Sequence, residues 1–178
     1  MAHQGQEISN PRTGQRMKFL QISPQELRID TLNPPTDVQE PLHVHPHQES
    51  GAEVISGSLV FEVAGRHRTV GSGETITIPA NTEHHFWNDG PQDAHAIQYF
   101  RPALDTAAFF ETLFALAQRG QIDRKGMPKL LPLVSLVGEF SDEIRPVSPP
   151  LPLLRALAAA LGPIARARGH HGRLSLPG

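Results

Sequence analysis

The chain has 178 residues, with 16 basic and 18 acidic side chains, a formal net charge of −2 and an isoelectric point of about 6.5. This length suits one principal domain plus an appendage, and the near-balanced charge excludes a general electrostatic affinity for nucleic acid or anionic membrane. The absence of cysteine excludes disulfides, thiolate metal sites and a cysteine nucleophile, and it fits a reducing compartment. No positively charged start followed by an apolar run of signal-peptide length opens the chain, and no uncharged apolar run reaches roughly 18 residues. A soluble, cytoplasmic protein without membrane contact is expected.

From Gln6 to Ile22 short apolar stretches flank Asn10-Pro11-Arg12-Thr13-Gly14, whose turn residues predict a β-hairpin. Glu26 to Leu32 alternates with period two and predicts a strand ended by Asn33-Pro34-Pro35. The next strand, Val38 to His45, enters the stretch Pro41-Leu42-His43-Val44-His45-Pro46-His47-Gln48-Glu49. Residues i and i+2 of a strand project to one face, so His43 and His45 form a bidentate metal clip. Pro46 cannot donate a ladder hydrogen bond, so the strand should end there, with His47 and Glu49 near the rim. Seven of the ten histidines lie between His43 and His95.

Short strands follow at Glu53–Ser56, Leu59–Val63, Arg66–Val70, Thr75–Ile78, His84–Asn88 and Ala94–Arg101, separated by glycine-bearing turns. Regular turn signals and no intervening helix predict an antiparallel sandwich or barrel. Near Pro102 the composition shifts to alanine and leucine at helical spacing. One helix is predicted over Thr106–Arg119, with Asp105 as N-cap, Gly120 as stop, and Phe109, Leu113 and Leu116 on one stripe beside Phe110, Phe114 and Ala117. A second starts near Pro128 or Pro132 and carries Leu130, Val134 and Val137. A third, after Pro149 to Pro152, carries Leu153, Leu157, Leu161 and Ile164, and Gly162-Pro163 should kink or end it. Residues 1–102 thus form the β domain, 103–168 a helical extension packed on the barrel or at a dimer interface, and 169–178 a disordered tail.

The segment from Gly73 supplies a partner for the histidine clip: Gly73, Pro79, Asn81, His84 and Asn88 are spaced as glycine, five residues, proline, one residue, a turn residue, two residues, histidine, three residues, asparagine. Together with His43, His45 and Gly57, this pattern resembles the two motifs of the cupin family, over roughly residues 36 to 101. Asn81 stands where the family has glycine, a mild change because both tolerate positive φ. The leading glycine of the first motif is absent, and six residues back from Gly57 stands Ser50, not a carboxylate. Glu49 has an allowed spacing from His45, yet the one-residue offset turns it away from the metal unless a bulge absorbs it.

The resemblance implies a mainly β fold, an antiparallel double-stranded β-helix or jelly-roll barrel, followed by about three α-helices. It implies a divalent ion, iron, manganese, zinc or nickel, held by His43, His45 and His84, with Glu49 an open question as fourth ligand. By strand parity His85 points away from His84, while His47, Ser50, Phe86, Asn88 and Gln98 are candidates for the pocket or its surroundings. The expected function is a metal-binding cupin acting on a small organic molecule in the barrel, with a three-histidine non-haem iron dioxygenase as one form. The alternatives are a small-ligand-binding sensor or storage cupin and a non-redox cyclase or isomerase. A homodimer and a small-molecule ligand are the expected partners.

Overall fold

A computed structural model describes residues 2–36, 39–123 and 126–176. Among the described residues eleven strands fall into two facing antiparallel sheets. The hairpin of β1 (Glu7–Ser9) and β2 (Arg16–Ile22) forms around the Asn10 to Gly14 turn and is followed by β3 (Leu27–Asn33). With β5 (Glu49–Ser56), β8 (Thr75–Ile78) and β10 (Ala94–Arg101), these strands make a six-stranded sheet of order β1-β2-β3-β10-β5-β8. The opposing five-stranded sheet runs β11-β4-β9-β6-β7, from β4 (His43–Val44), β6 (Ser58–Val63), β7 (Arg66–Gly71), β9 (His84–Trp87) and β11 (Arg145–Pro146). This is the double-stranded β-helix.

The strand predicted over residues 38–45 shrinks to the two residues of β4, and Val38 lies outside the described residues. Pro41 and Pro46 flank it, and neither can donate to a ladder. Residues of one parity fill the space between the sheets: Ala52, Val54, Leu59, Phe61, Val70, Ile76, Ile78, Ala94 and Ala96 form one cluster. Each buried side chain of this size contributes on the order of 1–3 kcal/mol.

The helices complete the other end of the interior. α1 (Thr106–Gln118) packs through Ala107 and Phe114 onto Met17, Phe19, Leu27, Ile29 and Phe100. Leu27 and Phe100 are cross-strand partners, as are Ile29 and the inward-facing Gln98, so α1 lies on the same face of the large sheet as the barrel interior. Phe109 and Leu116 on α1 meet Leu136 and Phe140 of α2 (Leu130–Phe140). The chain then returns as β11 to pair with β4, Pro146 opposite His43.

Asp105 stands at the N-cap of α1 as expected, but without a side-chain bond to the helix; its carboxylate instead takes the Arg173 guanidinium at 2.6 Å. α3 (Leu151–Ala167) runs through Pro163 without ending, and its buried residues are Leu154 and Ala165, while Leu153 and Ile164 are 51% and 46% exposed. The inward stripe is therefore rotated from the one counted from Leu153, and α3 packs against α2. Within the described part of the C-terminal segment, Leu174 N–H donates to Thr112 Oγ1 at 3.1 Å, and Leu176 packs on the cluster containing Phe114.

Candidate metal centre

His43 and His84 stand directly opposite each other on antiparallel β4 and β9, a register that brings side chains on one face to within about 5 Å. Their ring centroids are 4.5 Å apart. His45, two residues beyond His43 on the same side, completes the group at 5.0 Å from His43 and 5.2 Å from His84. All three are buried, and each offers a nitrogen within 4.8 Å of the others. Nitrogens sharing one ion at about 2.1 Å lie roughly 3.0–3.5 Å apart, so small ring rotations suffice to close on an ion.

The tautomers follow from the partners. His43 Nδ1 faces the Pro41 carbonyl at 2.9 Å, His84 Nδ1 the Thr82 carbonyl at 2.8 Å, and His45 Nδ1 the Glu143 carbonyl at 2.7 Å. A carbonyl only accepts, so each Nδ1 carries the proton and Nε2 keeps its lone pair. This backbone bracing is how metal-ligating imidazoles are held and made more basic. Burial also keeps them neutral: it pushes His43 well below the ordinary imidazole range, helped by the neighbouring His45 and His84, pushes His45 down to about 4, and lowers His84. Three neutral, pre-oriented imidazoles fit a divalent transition metal.

Turn geometry supports the clip. Asn81 adopts φ +58°, the left-handed conformation glycine would take at that motif position, and its N–H donates to the His45 carbonyl at 2.7 Å. Glu49 is not brought to the triad. It faces the Arg101 guanidinium at 3.6 Å on the outer side of β5, while Ser50 turns inward opposite Phe100. A bulge does interrupt the β5–β10 ladder, but beside His95 and Ala96, where it leaves the parity of Glu49 unchanged.

The remaining candidates separate clearly. His47 is exposed and lies 3.8 Å from Asp142. His85 turns to the outer face of its sheet, binding the Glu40 carbonyl through Nδ1 and Glu62 through Nε2. Phe86 stacks on Phe61 in the cavity wall, with centroids 5.3 Å apart. Asn88 touches the cavity, but its amide braces the adjoining loop, donating to the Asn33 and Gln92 carbonyls and accepting from Gly90 N–H. Gln98 and Ser50 are buried in the cavity wall.

The cavity measures about 210 Å³ and is walled by Phe61, Phe86, Trp87 and Phe100 from the barrel and by Phe109, Phe110 and Leu136 from the helices. Among its described lining residues none is lysine or arginine, and the acidic one is Glu40. Burial raises the Glu40 carboxyl to about 8, partly opposed by the Phe86 N–H that donates to its Oε1 at 3.3 Å. Sequence reasoning missed Glu40, although it precedes His43 by three residues, because a shortened strand gives no parity to read. It also missed Glu143, which reaches His45 from 98 residues away with no local signal.

Comparison with known proteins agrees with this architecture. The model of the Cupin_2 family, "Cupin domain", matches residues 31–100. No curated protein matches the chain. Solved structures similar to part of the chain include KdgF from Halomonas sp., 22% identical with a TM-score of 0.48, covering 52% of this chain and 84% of that one. An RmlC-like cupin from Shewanella frigidimarina NCIMB 400 is 17% identical with a TM-score of 0.49, covering 56% and 86%. A cupin-superfamily sugar phosphate isomerase from Silicibacter pomeroyi DSS-3 is 18% identical with a TM-score of 0.48, covering 54% and 70%. No helix among the described residues is long and apolar enough to cross a membrane.

Proposed function

Residues 31–100 are a cupin domain, and from that premise we propose that the chain is a three-histidine metalloprotein acting on a small organic molecule inside the barrel, in its specific form a non-haem iron dioxygenase. The observation that carries this reading is the bracing of His43, His45 and His84, each with Nδ1 committed to a backbone carbonyl and Nε2 left for an ion. With no carboxylate in the group, coordination positions stay open, as a catalytic site requires and a structural one does not. A divalent ion held there supplies Lewis acidity and, as iron(II), redox chemistry with dioxygen.

The chain's own contribution lies in the walls. Phe61, Phe86, Phe109 and Phe110 exclude water and position an apolar ligand body. Glu40, with its carboxyl raised to about 8, holds a proton near neutrality and can give it to an oxygen or carbon of the ligand. That observation favours a second reading, a non-redox isomerase or cyclase in which Glu40 moves the proton. Metal analysis of the purified full-length chain, followed by oxygen uptake of the iron(II)-loaded protein with aromatic and acyl substrates, separates the two. The dioxygenase reading expects bound metal and uptake abolished by EDTA. Bound metal with substrate turnover and no uptake would favour the non-redox reading.

A further inference from the structure

The triad occupies one side of the cavity, and the opposite wall holds a second polar group. Ser50 and Gln98 lie on β5 and β10 of the six-stranded sheet, facing the sheet that carries His43 and His84. Ser50 pairs with Phe100, and Gln98 pairs with Ala52. The two polar side chains are thus diagonal neighbours on one inward face, a relation that puts them roughly 7–8 Å apart. Phe100, directly opposite Ser50, meets the His45 ring edge-on at 5.2 Å, which sets the pair beside the triad.

Both residues are more than nine-tenths buried, at 4% and 5% exposure, and both line the cavity. Ser50 Oγ and Gln98 Nε2 nevertheless have no hydrogen-bond partner among the described residues. Buried donors are almost always satisfied, since leaving one unpaired forfeits its bonds to water without replacement. Ser50 occupies the position where a fourth, carboxylate ligand would sit by the spacing to Gly57. A hydroxyl there leaves a donor where an anion would otherwise repel an anionic ligand oxygen.

We propose that Ser50 and Gln98 are the ligand-selecting half of this site: they donate to an oxygen of a largely apolar, neutral or singly charged molecule that chelates the triad's metal through neighbouring oxygens. This rests on the metal reading above. The aromatic wall of Phe61, Phe86, Phe109 and Phe110 disfavours a phosphate ester or a diacid, whose extra charge such side chains leave uncompensated. A cavity of about 210 Å³ takes a ligand of single-ring size.

The test loads the full-length chain with cobalt(II) and titrates it with benzohydroxamate, an aromatic oxygen chelator, following the visible absorption of the cobalt. Wild type should bind the probe, and glucose 6-phosphate should not displace it. Ser50→Ala and Gln98→Leu should each keep their cobalt and weaken the probe about tenfold, the usual effect of losing one donor to an anionic oxygen. Cobalt-loaded variants that bind the probe as wild type does, or displacement by glucose 6-phosphate, would overturn the assignment. A wild type that takes up no cobalt would instead overturn the metal reading. Should Ser50→Ala alone lose cobalt, Gln98→Leu decides.

Discussion

Burial drives Glu40 and the triad imidazoles in opposite directions, and the signs make this visible in the metal-free protein. The Glu40 carboxyl moves from 4.5 to about 8, so between those values the folded state keeps a proton that the unfolded state releases, and stability falls as pH rises through that window. His45 moves from 6.5 to about 4, and there the unfolded state takes up a proton the folded state refuses, so stability falls as pH drops. His43 and His84, also lowered by burial, act with His45. The melting temperature of EDTA-treated protein should therefore peak between roughly pH 6 and 7. Glu40→Gln should remove the alkaline decline, and a variant that still tracks wild type above pH 7 would refute the raised carboxyl. The triad was legible in sequence because spacing along a strand fixes which side chains share a face, whereas the spacing left Glu49 open, and the fold turns Ser50 inward in its place. Glu40 was not legible, because its carboxyl is raised by burial, which no local pattern around it announces.

Alternation and turn residues act locally, so the hairpin around Asn10 to Gly14 and the run from Ser58 to Arg101 follow from them, whereas β4 is shorter than its pattern and β5 begins at Glu49 rather than Glu53. β11 was not foreseen, being two residues long and existing only because β4 offers it an edge. The helices were located from their spacing, but the burying face of α3 depends on its packing against α2 and was displaced. α1 bears most directly on the site, because Phe114 is 1% exposed and joins the helix to Phe100 and the large sheet. Phe114→Ala should cost about 3–5 kcal/mol in urea unfolding, as expected for emptying a filled aromatic site. A loss under about 1 kcal/mol would mean that α1 is not an integral part of the core.

At the scale of the whole molecule, the extension closes the barrel end and holds the site through the Glu143 carbonyl on His45 and the β11–β4 pairing. Its outward residues Leu104, Leu130, Leu153 and Ile164 remain exposed, and such apolar side chains on a helical surface favour self-association. A homodimer is the expected assembly, and light scattering that gives a monomer at micromolar concentration would exclude it. The central claim, that three buried histidines on facing positions of β4, its following turn and β9 hold one metal ion, is tested most directly by metal content. Purified wild type and the His43→Ala, His45→Ala, His84→Ala and His85→Ala variants are compared by elemental analysis. The account predicts about one ion per chain in wild type and His85→Ala and little in the other three, because His85 faces the outer side of its sheet. Equal loss in the His84 and His85 variants, or full metal content without the triad, would contradict it.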